Sequence, residues 1–182
     1  MKSTSVIIDN ILNRSSIRSY QDKEVESEKI ETLLRAAMAA PSAADKRPWH
    51  FVVVTDKRQL EGLASANPYA GFAKRAPLAI VACGDMEKAL PGNEQLFWIQ
   101  DVSAAIENIL LAASALGLGA VWTAVYPIPE RCEVVSKVLI LPKNIIPLAT
   151  IVIGYPKSTE RHIKDKWDES NVSWQRYGEK KA

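Results

Sequence analysis

From Asn108 to Pro129 the chain carries no formal charge. Such a stretch must lie in a bilayer or inside a fold, because its backbone and apolar side chains need partners other than water. It is long enough to cross a membrane. Gly117, Gly119, Pro127 and Pro129 interrupt it, however, and Asn108, Ser114 and Thr123 are polar. The pattern therefore predicts a buried helix, a glycine stop and a buried strand. The helix is expected over Asp101 to Leu116, with Val102, Ala105, Ile106, Ile109, Leu110, Ala113 and Leu116 on one face. Leu111 and Ala112 widen that stripe, so it should be enclosed nearly all round. The strand is expected over Gly119 to Thr123.

The rest of the chain yields more elements of both kinds. Val6 to Leu12 is apolar at helical spacing, with Ser3 or Thr4 as N-cap and an end near Asn13. Val25, Ile30, Leu33, Leu34, Ala37 and Met38 form a second helical stripe, stopped by Pro41. Arg58 to Ser65 reads as a short helix, and Pro129 opens another with Val134, Val135, Val138 and Leu139 inward. Phe51 to Thr55, Leu78 to Cys83 and Leu148 to Ile153 read as strands. The second of these is apolar on both faces and belongs at the centre of a sheet. Asp85 to Glu94 has no period and reads as a mobile loop. Four strands and several helices out of strict alternation argue an α+β fold. No repeat or linker divides the 182 residues, so one domain, 1–182, is expected. From about residue 157 the chain is polar, with Trp167 and Trp174 as isolated anchors, which suits a tail lying across a second subunit.

Bulk properties narrow the function. Net charge is +2, too little to argue for nucleic acid or an anionic membrane surface. Cys83 and Cys132 are far apart in apolar surroundings and read as buried free thiols, as in a reducing cytoplasm. Val6-Ile7-Ile8 is broken at once by Asp9 and Asn10, unlike a signal peptide. His50 and His162 have no carboxylate or cysteine at metal-ligand spacing, so no metal site is expected. There is no phosphate-cradling glycine loop, no Gly-x-Ser-x-Gly nucleophile segment and no outstanding carboxylate pair. If the protein is an enzyme, a cofactor performs the chemistry and the chain positions it.

Two segments carry such a role. Arg14, Ser15, Ser16, Arg18 and Ser19 fall together ahead of Tyr20. Arginine forks and serine hydroxyls of this density hold a phosphate monoester, though alone the segment also reads as a solvated loop. The second is Ala40-Pro41-Ser42-Ala43-Ala44-Asp45-Lys46-Arg47-Pro48-Trp49. With the helix around Asp101, Ala105 and Asn108, the strand end Trp122-Thr123-Ala124 and the late Gly154-Tyr155-Pro156, they resemble the nitroreductase family over nearly the whole chain.

That resemblance implies a central mixed β-sheet flanked by helices, an intertwined homodimer, and FMN at the subunit interface. It implies that Arg14 and Ser16 hold the FMN phosphate, and that Arg18 reaches the N1/O2 edge of the flavin. Ser15 stands where the family often has arginine, a position read through its backbone. Pro41, Ser42 and Ala43 match a loop that packs on the partner's flavin. Asp45 and Arg47 replace neutral amides there and can pair with each other. Trp122, Thr123 and Ala124 match the strand whose backbone faces flavin N5 and O4. Lys164 and Lys166 match basic residues that complete the phosphate site, although alone they read equally as solvated tail lysines. Trp49 is expected as a core anchor.

The expected activity is an FMN-dependent oxidoreduction: NADH or NADPH reduces the flavin, and a nitroaromatic, quinone or similar oxidant then takes the hydride in ping-pong order. No side-chain acid or base is assigned, because hydride transfer depends on stacking and distance. The loop from Asp85 to Phe97 is expected to cover the substrate, with Phe97 or Trp98 stacking. Alternatives are a same-fold flavoenzyme with another reaction, such as reductive dehalogenation or flavin breakdown, a non-catalytic FMN-binding protein, and an interaction module without cofactor.

Overall fold

The strand periodicity of two decides the architecture of the computed structural model, which describes residues 5–158 and 165–181. The strands are β1 (Trp49–Val54), β2 (Leu78–Asp85), β3 (Gly119–Ala124) and β4 (Ile145–Gly154), forming one sheet in the order β1-β2-β4-β3. All three pairings are antiparallel, with Val52 opposite Val81, Ile80 opposite Ile151 and Ala120 opposite Ile153. The parallel component expected of a mixed sheet is confined to one bridge, Ser16 to Ala120. Every residue of β2 is buried, as a two-sided apolar run requires.

Alternate residues of the sheet feed cores on opposite faces. Leu78, Ile80, Ile151 and Ile153 pack on one side beneath α2 (Ser27–Met38) and α4 (Phe97–Ala115). Ala79, Val81 and Cys83 pack on the other beneath α3 (Lys57–Ser65) and α5 (Pro129–Leu139). Each buried Leu or Ile contributes roughly 1.5–3 kcal/mol of transfer free energy. The fold is thus α+β, with helices on both faces of an antiparallel sheet.

α4 is long and apolar enough by composition to span a bilayer. Here it lies against the sheet and α2, and Asn108 Nδ2 donates to the Ala36 carbonyl at 2.9 Å, tying the two helices. It begins four residues earlier than its stripe suggests. Trp98 therefore belongs to the helix, is 2% exposed and meets Tyr126 edge-on at 5.2 Å. This corrects its expected role as a substrate-stacking residue: the core needs its area more than the surface does. Phe97 remains half-exposed. The segment before it is pinned at its start, where the Asp85 carboxylate accepts from the Glu87 N–H and from Asn144 and pairs with Lys88 at 3.3 Å.

α1 (Val6–Asn13) behaves differently. Ser5, not Ser3 or Thr4, caps it by accepting from the Ile8 N–H at 3.2 Å; the other two lie outside the described residues. None of its residues is buried, and Val6 and Ile7 are 84% and 72% exposed. Asn10 Nδ2 holds it to α4 through the Leu111 carbonyl at 3.0 Å. From Asp165 to Lys181 the hydrogen bonds among described residues run within the segment, and Trp167, Trp174 and Tyr177 are exposed.

Candidate functional site

The Arg14–Arg18 segment leaves α1 and runs alongside β3. Ser16 bridges Ala120, and the Ile17 N–H donates to the Ala120 carbonyl at 3.1 Å. Side chains then alternate. Ser15 and Ile17 turn toward Leu110, Ser114 and Leu118, while Ser16 and Arg18 are exposed. Arg14 is held from one side by Glu107 of α4, Nε to Oε1 at 3.5 Å. Ser16 and Arg18 are therefore exposed on the outward side of a short extended segment, Ser15 is half-buried, and Arg14, 20% exposed, lies against α4 at its start. Tyr20 locks the far end: its hydroxyl donates to the backbone carbonyls of Ile17 and Val152, and burial holds its ionisation well above the ordinary tyrosine range.

Beyond Ala120 the outer edge of β3 is open. The Ala120 carbonyl faces this edge, and so does that of Ala124, which accepts from Asn67 Nδ2 at 3.3 Å and from Arg131 at 3.1 Å. Period-two geometry puts the N–H groups of Trp122 and Ala124 on the same side. Thr123 faces the other way, is buried, and donates through its hydroxyl to the Thr150 carbonyl at 2.7 Å. Neither Asn67 nor Arg131 belongs to a motif that the sequence marks. Both fix the carbonyl of the residue expected beside the cofactor.

The Pro41–Arg47 loop is built separately. It ends α2 and enters β1. The Asp101 carboxylate, buried in the second turn of α4, accepts the Ala43 N–H at 2.8 Å. The Ser42 hydroxyl accepts the Arg47 N–H at 2.9 Å. Asp45 and Arg47 form a two-pronged fork at 2.6 and 2.7 Å. The hydrogen bond and charge of Arg47 lower the Asp45 pKa below the usual carboxylate range. Ala44, Asp45 and Arg47 have φ of 48°, 53° and 49°, left-handed conformations that non-glycine residues rarely hold. Pro41 is exposed, and Trp49 is buried as a core anchor.

The two motif segments adjoin opposite edge strands, β3 and β1, with two strands between them, roughly 14 Å of sheet. No hydrogen bond or ion pair joins them among the described residues. Lys166 is exposed in the tail with no such contact to Arg14, and Lys164 and His162 lie outside the described residues. No cluster of metal-binding side chains occurs among the described residues. Cys83 is buried and Cys132 half-buried, both free; burial pushes the Cys83 thiol up to about 12 and also raises Cys132.

Two arginines and a serine on one short segment beside an open strand edge suit a flat, phosphate-bearing cofactor: the edge presents N–H groups to a ring, and the segment presents cations and a hydroxyl. This is an α+β protein whose candidate site lies along one sheet edge. The chain belongs to the nitroreductase family, whose model matches residues 11–68 and 61–155. A protein of Methanothermobacter thermautotrophicus, provisionally described as an NADH dehydrogenase/NAD(P)H nitroreductase, is 49% identical over 82% of this chain and 77% of its own. A crystal structure from Parabacteroides distasonis with the same provisional description superposes with a TM-score of 0.90 at 46% identity, covering 95% of this chain and 99% of the other. An FMN-dependent nitroreductase from Clostridium difficile superposes with a TM-score of 0.85 at 34% identity, covering 93% and 99%.

Proposed function

We propose that this chain is an FMN-dependent oxidoreductase that uses NADH or NADPH to reduce nitroaromatics, quinones or similar small oxidants. The observation that carries the reading is the grouping of Arg14, Ser16 and Arg18 on one extended segment that bridges to β3 at its open edge, with Ser16 and Arg18 exposed. FMN, when bound, supplies reversible hydride acceptance and donation. Arg14 and Ser16 hold its phosphate by charge-assisted and neutral hydrogen bonds, with Ser15 contributing through its backbone and Lys164 and Lys166 adding charge from the tail. Arg18 offsets negative charge gathered at the N1/O2 edge. The N–H groups of Trp122 and Ala124 orient the ring edge near N5 and O4, and Asn67 and Arg131 keep that stretch of backbone fixed.

The working unit is a homodimer. The Pro41–Arg47 loop of one subunit, with Pro41, Ser42, Ala43, Asp45 and Arg47, packs on the flavin held at β3 of the other. Support comes from the two motif segments adjoining opposite sheet edges, and from the bare apolar side chains of α1. Residues 1–182 form one domain, and its tail from about 157 crosses onto the partner, where Trp167 and Trp174 find cover. No side chain of this chain is assigned as acid or base, and no metal is involved. The two free thiols fit a cytoplasmic protein. An anaerobic titration tests the reading. NADH or NADPH should bleach the bound flavin, and a quinone should restore its colour. Flavin that stays oxidised under an excess of both nucleotides overturns it.

A further inference from the structure

A cavity of about 650 Å³ lies where β1 ends and β2 begins, walled by the Arg18–Val25 segment, the start of α3 and the Lys74–Leu78 segment. Its lining is strongly biased in charge. Arg18, Lys23, Lys57, Lys74, Arg75 and Lys157 contribute six cations against the two carboxylates of Asp22 and Glu24. That surplus of four exceeds the +2 of the whole chain, so the rest of the molecule is net negative. Elsewhere cations are neutralised locally, as in the pairs Arg35–Glu31, Arg47–Asp45 and Lys137–Glu133. Lys57, Lys74, Arg75 and Lys157 have no ion-pair partner among the described residues. Lys23 is engaged with Glu26 at 3.6 Å and stands over the Tyr155 ring at 3.9 Å.

The cations stand on fixed backbone. The Gln21 N–H donates to the Tyr155 carbonyl at 2.8 Å, and the Lys157 N–H donates to the Ser19 carbonyl at 3.1 Å, so Arg18 and Lys157 are held on adjoining strands of chain. The turn Gly71–Arg75 is closed by the Ala76 N–H to the Ala73 carbonyl at 3.0 Å, which fixes Lys74 and Arg75. Among the lining residues Phe72 presents a half-buried ring, backed by the buried Leu60 and Leu78. Several unpaired cations beside an accessible aromatic ring recognise a nucleotide that carries more than one phosphate.

We propose that this cavity binds the adenosine end of NADPH, with its 2′-phosphate among Lys74, Arg75 and Lys157, and so selects NADPH over NADH. The 2′-phosphate is a monoester carrying roughly −1.5 to −2 at neutral pH, which NADH lacks. Arg18 is common to the cavity and the expected flavin edge, so one dinucleotide can reach from the flavin into the basic wall. The link to NADPH rests on the oxidoreductase reading, whereas the anion site stands on the cavity alone.

The probe is adenosine 2′,5′-bisphosphate, compared with 5′-AMP by calorimetry on the full chain as purified. The bisphosphate should bind about tenfold or more tightly, with affinity falling as salt rises. The double variant R75Q/K157Q, whose native circular dichroism and melting confirm folding, should lose that advantage. The NADPH-to-NADH ratio of kcat/KM should fall with it, while R35Q on α2, away from the cavity, should leave the ratio unchanged. Equal affinity for the two probes, or an advantage that survives in the double variant, overturns the site. A protein that carries no flavin yet shows the probe preference keeps the anion site and loses the NADPH assignment with the oxidoreductase reading. A flavin reduced by both nucleotides at one common ratio in wild type and variant overturns the selection and leaves the oxidoreductase reading intact.

Discussion

Asp101 shows how much a single residue does here. In sequence it opens the expected α4 helix and belongs to the motif that carries the family resemblance, with no chemical role assigned. In the structure its carboxylate is the acceptor for the Ala43 N–H, and so it anchors a loop with three left-handed residues. Asp101→Ala removes a charged acceptor and should cost about 1–3 kcal/mol, read as a lower urea midpoint; Asp101→Asn, which keeps an acceptor, should cost less. Equal losses in both variants would contradict the anchoring role. The cysteines give a second prediction. Burial disfavours the thiolate, so Cys83, pushed up to about 12, stays a neutral thiol through the pH range where a free cysteine ionises. Native protein at pH 8 should therefore label slowly at Cys83, with Cys132 modified first and both reacting once urea unfolds the chain. Rapid labelling of Cys83 in the folded state would contradict this. The Asp45–Arg47 fork was legible because opposite charges two residues apart can meet. Asn67 and Arg131 were not, because what they hold is a carbonyl far away in sequence.

At the scale of elements, long apolar periodicity was readable and ends were not. β2 and α4 follow from composition alone. β4 was expected to begin at Leu148. It begins at Ile145, with Pro147 opposite Cys83 at the register shift between Ala82 and Cys83, a place where a strand tolerates proline. α4 begins at Phe97 because Trp98 is needed against Tyr126 and the Gly84 backbone, contacts that local sequence cannot announce. The Arg14–Arg18 segment is positioned by packing as well as pairing. A Cβ added at Gly119 would lie 2.7 Å from Ile17, nearer than real contacts allow. Gly119→Ala should push this segment off β3, costing about 1–3 kcal/mol of stability and weakening FMN retention without changing any charge. Unchanged FMN affinity, measured by fluorescence of released flavin, would separate the segment from the cofactor site.

The whole molecule places its two motif segments beside opposite edges of one sheet and leaves the apolar side chains of α1 bare. Both features are illegible in sequence order, where the segments are neighbours and α1 looks like any amphipathic helix. In the proposed homodimer a second copy would account for both, by covering α1 and bringing a Pro41–Arg47 loop to the β3 edge. The double substitution Val6→Glu/Ile7→Glu, at side chains that are largely exposed among the described residues, should give a larger monomer fraction in sedimentation and loss of bound FMN together. A dimer that persists with full flavin would move the interface elsewhere. The claim on which the rest depends is that the β3 edge holds FMN, and the most direct measurement is the visible spectrum of the purified protein with chromatography of what denaturation releases. The account predicts a yellow protein yielding about one FMN per chain, in keeping with one Arg14–Arg18 segment per chain. A colourless protein that takes up no added FMN would contradict it.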